Sequence, residues 1–390
     1  MRGYIGRHTI LNQHQETVAF RFSHHLPTGE LRAADLVMAL LDLNLSVRAD
    51  SPQVIVEADQ ALLSHPRWVP PGLPLALLLS PEVDPTGATV ANIQALQAHG
   101  CDVGVDLSVA PQHSALLQHV QFARMHETQA TTSVRQVAAS NGIRCIFHGL
   151  SSRDIAKGLG ADAWYEDPAS VPVPRRSFGL NPERVAALRL FSRSLDPDVS
   201  VRELETLILP DPVLCMRLLQ VANSAAYSPR QPIETIRRAI TLLGLSELGR
   251  WIGIILLGTL VEQHPEGVDR ALVRARMCQA IARTMAIFDA DRAFTVGLVS
   301  MFDALLGLPM ESILDQIGLS ESIRSAILRH EGQLGMVLAY VTAHERQQWW
   351  QVSEAQLAPS QWNTIWLEST EWAKTASLIV FQPRTDLVAT

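Results

Sequence analysis

Apolar residues recur along this chain in two rhythms. Up to about residue 166 they form short runs of strand length: Val18–Phe22, Val54–Val56, Leu75–Leu79, Val103–Leu107, Val120–Ala123, Arg144–Phe147 and Ala163–Tyr165. Between them Leu31–Leu43, Thr89–His99, Ala130–Asn141 and Ser152–Leu159 carry helical periodicity, and Gly100, Gly142 and Gly160 stand where helices should stop. Strand, helix, glycine, strand is the rhythm of a parallel βα protein. Seven such strands predict a (β/α) barrel. The segment is shorter than the roughly 250 residues typical of an eight-fold barrel, so a trimmed or imperfectly closed one is expected.

From Phe178 onward the period is helical, which predicts an all-α domain over 178–376 behind an α/β domain over 1–166. Pro168, Pro172 and Pro174 deny helix or central strand to the intervening stretch, so 167–177 reads as an extended linker. Residues 377–390 read as a frayed tail.

The helical half is organised around Asp211–Trp251, DPVLCMRLLQVANSAAYSPRQPIETIRRAITLLGLSELGRW. Asp211-Pro212 is a helix start, a capping oxygen followed by a ring with φ already set. Leu214, Leu218, Leu219 and Ala222 follow at helical spacing. The small residues Asn223 to Ala226 precede Tyr227, and Ser228-Pro229 and Gln231-Pro232 make a stiff turn. A second helix carries Ile233, Ile236, Ile240 and Leu243 on one stripe and closes at Gly244; Ser246 and Glu247 start a third. Ser200 with Glu203 forms a capping box before Val201–Ile208. Apolar stripes of this kind mean a packed bundle.

The order helix, ANSAAY, proline-bounded turn, helix, LLGL, helix resembles the signature of the HDOD domain, a helical output module of bacterial signalling proteins. The resemblance runs from about Phe178 to about Trp350. It implies the helical-bundle fold and a protein partner. Candidate contacts are Asn223, Ser224, Tyr227, Arg230, Arg250 and Trp251. Related phosphohydrolases place a His-Asp metal doublet within a segment like Phe294–Leu308, where this chain has Ser300-Met301. Asp303 alone does not replace the doublet.

Ile5-Gly6-Arg7-His8-Thr9-Ile10 followed by Val18-Ala19-Phe20-Arg21-Phe22 looks like the opening of an EAL domain, and EAL followed by HDOD is a recurring pairing. That family hydrolyses cyclic di-GMP with metal ions held by carboxylates at strand ends. Carried over residue by residue, its ligand positions fall at Arg21, near Glu57, near Leu78, at Asp106-Leu107, at Gln121 and Ala123, and at His148. Two-metal hydrolysis needs several convergent carboxylates, so the resemblance implies a degenerate, non-catalytic domain. Two alternatives stay open: a receptor that binds cyclic di-GMP through Arg21 and Arg153 without hydrolysing it, and a residual phosphodiesterase using Glu57, Asp106 and His148.

At 390 residues the chain has room for two domains, and 47% hydrophobic with 18% charged residues is ordinary for a globular protein. A formal charge of −7 argues against nucleic acid or an anionic membrane as partner, although Arg217, Arg230, Arg237 and Arg238 form a local basic patch beside a helix-turn-helix-like turn. The other basic group, Arg270, Arg274, Arg276 and Arg283, reads as a solvated helix face. Lys157 and Lys374 are the only lysines. Cys101, Cys145, Cys215 and Cys278 are scattered with no CxxC, as expected of reduced thiols. His330-Glu331 and His344-Glu345 lack the second histidine of HExxH and read as surface helix ends. No cofactor is expected. The opening MRGYIGRHTILNQHQ lacks the apolar core of a signal peptide, and Trp251–Val261 is short of the about 20 residues a membrane span needs, which points to the cytoplasm. The prevalence of isologous pairs makes a homodimer the default expectation.

Overall fold

The computed structural model describes residues 4–12, 17–25, 53–64, 74–126, 128, 140–148, 164–166, 182–196, 198–258, 265–287 and 290–381. In chain order the elements begin with β1 (Tyr4–Leu11), β2 (Thr17–His25), β3 (Gln53–Ala58), α1 (Gln60–Leu63), β4 (Leu75–Leu79), α2 (Gly87–Ala98) and β5 (Asp102–Asp106). After a 3₁₀ stretch at Pro111–His119 come β6 (Phe122–His126), β7 (Arg144–His148) and β8 (Trp164–Glu166). The helices are α3 (Pro182–Ser194), α4 (Val201–Ile208), α5 (Pro212–Ala222), α6 (Ile236–Gly258), α7 (Pro265–Thr284), α8 (Ala290–Val299), α9 (Phe302–Leu306), α10 (Met310–Ile317), α11 (Glu321–Arg329), α12 (Gly332–Glu345), α13 (Trp349–Ser353) and α14 (Pro359–Phe381).

The chain divides into two compact units. The first holds Met1–Val171, Glu345–Trp349 and Leu357–Asn363; the second holds Pro172–His344, Trp350–Gln356 and Thr364–Thr390. The expected helices at Leu31–Leu43, Ser152–Leu159 and most of Ala130–Asn141 lie outside the described residues. So do the whole linker 167–177, Arg153, and residues 382–390.

The first unit is a closed barrel of eight strands in sequence order, which corrects the expectation of a trimmed or open one. The missing strand is β1. It pairs antiparallel with both β2 and β8, while β2 to β8 pair parallel in sequence. YIGRHTIL mixes basic and apolar residues without strand-like alternation, so its pattern did not mark it as a strand. A closed sheet has an inner face to fill. Ile10, Ala19, Ile55, Ala76, Leu78, Phe122 and Ile146 come from six strands and form one buried cluster there. Gly104 makes room for the Phe122 ring, since a Cβ at that position would stand 2.3 Å from it.

The second unit is helical. Its helix starts follow the local chemistry: the Ser200 hydroxyl accepts from Glu203 N at 3.1 Å, and the Asp211 carboxylate accepts from Leu214 N at 2.9 Å. The second helix of the central stretch begins at Ile236 and not at Ile233. Ile233 instead lies in the turn, where the Asn223 side chain holds both its backbone groups. Asn223 Oδ1 accepts from Ile233 N at 2.7 Å, and Nδ2 donates to Ile233 O at 2.8 Å and Leu219 O at 2.9 Å. Gly244, with φ 74° and ψ 166°, is non-helical and divides Ile236–Gly258 into two helices, as its place at the end of the second helix predicted.

Ile236–Gly258 taken together is long and apolar enough to cross a membrane, but Gly244 divides it into two helices and 61% of its apolar window is buried inside the protein. Three other expectations are revised. The face carrying Arg274 and Arg276 is half-buried, not solvated. His344 is buried, and α14 runs through Phe381, past the expected fraying point at 377, because Ala373, Ala376 and Val380 bury one stripe. All four cysteines are free.

Asn223→Ala removes three hydrogen bonds and leaves the Ile233 peptide groups unpaired, a cost of about 3 kcal/mol. The expected result in urea denaturation is a lower midpoint with an unchanged slope.

Candidate functional site

In the barrel, β2 to β8 all end on one side, and β1 begins there because Tyr4 pairs with His25. Side chains alternate across a strand, so the inner-face cluster fixes which residues turn inward toward this mouth: Arg21, Glu57, Asp106, Arg124, His126 and His148. Leu78 is itself part of the cluster. Most of the positions carried over by resemblance therefore share the inner face.

The sixth strand is out of register by one. Ala123 is on the outer face, and Gln121 precedes the strand and accepts from Val103 N at 2.9 Å. The inward positions are Phe122 and Arg124. A one-residue slip exchanges the two faces of a strand, which is why the reading by spacing missed Arg124. The guanidinium of Arg124 makes an ion pair with Asp106, whose side chain is only 7% exposed. The other Asp106 oxygen accepts from Ser108 N at 2.9 Å and from the Ser108 hydroxyl. A fixed cation thus sits on the one carboxylate that the resemblance retained from the Asp-Asp doublet. His126 and His148 meet edge to face at 5.2 Å, and Glu57 is exposed. No group of three or more His, Cys, Asp or Glu suited to a metal ion occurs among the described residues. Arg21 is half-buried in β2 opposite His8 and Ile55.

In the helical unit the structure joins three of the six candidate contacts, Tyr227, Arg250 and Trp251, in one network and buries most of them. Trp251 donates its indole N–H to the Tyr227 hydroxyl at 2.8 Å, and Tyr227 donates to Glu247 at 3.1 Å. Burial, the largest influence, pushes the Tyr227 phenol up to about 12; the Trp251 hydrogen bond opposes this and the Glu247 charge adds to it. Glu247 also pairs with Arg250, which is 9% exposed and lies 3.7 Å from Asp291. Trp251 is 5% and Ser224 6% exposed, so neither offers contact surface, and Asn223 is engaged in the turn. Arg230 is exposed.

The sequence did not single out Asp291, the hub of this network. It accepts from Ser246 at 2.7 Å and from the fully buried Gln279 at 2.8 Å, with Arg283 at 3.6 Å. Burial works to raise its carboxyl, but Ser246, Arg250, Gln279 and Arg283 together outweigh it and hold the group below its ordinary value. Arg276 donates to Gln279 at 2.6 Å and stacks over Trp372 at 5.5 Å; burial first, then Arg283 and Arg250, lowers its pKa. Ser300, where the resemblance led one to look for a His-Asp doublet, accepts from Arg274 at 3.1 Å. Asp303 is occupied by the backbone N–H of Ala304.

Because the Asp291 pKa is lowered on folding, its contribution is full above the ordinary carboxylate value of about 3.9 and is lost as pH falls through the lowered one. Asp291→Asn is expected to flatten the acid limb of a stability-against-pH curve measured by denaturant unfolding, with its largest loss near neutrality.

Comparison with known proteins finds two sequence relatives and a distant structural neighbour. The cyclic di-GMP phosphodiesterase CdgJ of Vibrio cholerae is 30% identical over 173 residues, which is 44% of this chain and 40% of that protein. YuxH of Bacillus subtilis is 21% identical over 95% of this chain and 98% of its own length. A solved EAL domain protein of Listeria monocytogenes matches 42% of this chain and 85% of its own at 10% identity, with a TM-score of 0.32. The HDOD domain model matches the segment that contains the Asn223 turn, the Gly244 kink and the Asp291 network, so residues 182–310 are an HDOD domain.

Proposed function

We propose that this chain is a regulatory protein of a cyclic di-GMP-linked signalling pathway that works by binding and not by catalysis. On this reading residues 1–166 are an EAL-type domain without its metal-holding carboxylates, 167–177 a linker, 178–376 the HDOD region and 377–390 a tail. The HDOD domain and the Vibrio relative support the pathway. The observation that carries the non-catalytic mechanism is the Arg124–Asp106 ion pair. A guanidinium already neutralises that carboxylate, and two-metal hydrolysis needs carboxylates free to converge on the ions. The exposed turn at Arg230 is the protein-facing part of the HDOD surface. Asn223, Ser224, Tyr227, Arg250 and Trp251 set its shape from beneath. On this reading the site of action is the cytoplasm and an isologous pair is the default assembly.

A second reading is a receptor that holds cyclic di-GMP without cleaving it. Arg21, on the inner face of the mouth, favours it, since phosphodiesters are held by fixed cations. Arg153 belongs to this reading too.

Cyclic di-GMP is titrated by calorimetry into metal-free and Mg²⁺-loaded protein, and the mixture is then analysed for linear product. No product is expected in either condition. Product that disappears in Asp106→Ala overturns the non-catalytic reading. Heat without product that is lost in Arg21→Ala establishes the receptor.

A further inference from the structure

Two polar side chains at the barrel mouth, His8 and Ser23, are held by a distant part of the same unit. Ser23 follows Ala19 and Arg21 on the inward side of β2, and Gly6 and His8 precede Ile10 on the inward side of β1. Gly6 pairs with Ser23, and His8 with Arg21. Gln347 reaches this corner from more than three hundred residues away. Its amide nitrogen lies 2.7 Å from His8 Nε2, and its carbonyl oxygen accepts from the Ser23 hydroxyl at 3.3 Å. His8 Nε2 and Ser23 Oγ lie 3.3 Å apart, closing the triangle. The amide packs on the bare backbone of Gly6, where a Cβ would stand 2.7 Å from Gln347 Cδ.

The neighbouring residues fasten the same segment. Trp349 stacks on Tyr4 with ring centres 5.3 Å apart and planes 5° from parallel. The Ile5 N–H donates to Asn363 Oδ1 at 3.0 Å, and Asn363 is buried. Gln347 itself has a φ of 57°, a conformation rare for a residue with a side chain. Such strain persists only where surrounding contacts hold it. Those contacts lie at the ends of β1 and β2 that form the mouth.

We propose that Glu345–Trp349 is a strap that closes this side of the barrel mouth in cis, with the Gln347 carboxamide occupying the subsite of Gly6, His8 and Ser23. A ligand with an adjacent donor and acceptor enters that subsite when the strap leaves. The idea rests on the barrel reading only in treating the mouth as a ligand entrance. Its test uses no nucleotide, so its failure is separate from any failure of the cyclic di-GMP reading.

The probe is diethyl pyrocarbonate, with carbethoxylation of His8 followed by peptide mass spectrometry and exposed His99 as internal standard. Gln347→Gly removes the side chain at a position whose backbone suits glycine, so the fold is expected to survive. In the unaltered chain His8 is expected to react more slowly than His99. In Gln347→Gly its rate is expected to rise about tenfold, the worth of the two lost hydrogen bonds, with the His99 rate unchanged. Trp349→Ala, which removes the Tyr4 stack, is expected to act in the same direction and is read alone if Gln347→Gly fails to fold. A His8 rate that already matches His99 in the unaltered chain overturns the proposal, as does one that no folded variant changes.

Discussion

A peptide group removed from water must find a hydrogen-bond partner, and that demand shapes both units. In the barrel, β2 and β8 would each leave an open edge if the sheet ended with them. β1 pairs with both and removes the edges. The one antiparallel strand is therefore what makes the barrel closed, and closure is what creates an inner face and a mouth. Where β1 starts, a side chain takes over the task, with Asn363 accepting from Ile5 N. In the helical unit the turn after α5 has no strand or helix partner, and Asn223 serves both backbone groups of Ile233. Asparagine suits this role because one amide offers a donor and an acceptor side by side.

In both regions arginines sit on buried or half-buried carboxylates. At the barrel mouth, Arg124 sits on Asp106. In the HDOD domain, Arg250 and Arg283 lie around Asp291, and Ser300 accepts from Arg274. A guanidinium satisfies a carboxylate with directional hydrogen bonds and stays charged across the physiological range. It neutralises the charge without supplying an open coordination site.

The helical half was readable in advance because its signals are local. A capping oxygen acts within three residues, and Ser200, Asp211 and the small residues before Tyr227 each mark their own boundary. The barrel was readable as far as its apolar runs went. β1 escaped because its residues do not alternate cleanly, and Arg124 escaped because spacing alone cannot settle a period of two. Asp291 and Gln347 gave no local sign, since their partners lie on other elements.

Composition, period and capping chemistry by themselves established an α/β segment, a helical segment and the identity of the turn that organises the second. Those properties depend on neighbours within one or two turns of chain. Closure of the barrel, the face on which each strand residue lies, the burial of Trp251 and Ser224, and the union of Gln347 with His8 and Ser23 depend on pairings across tens to hundreds of residues. Such pairings are chosen by the packing of the whole unit, and no window of sequence contains both partners.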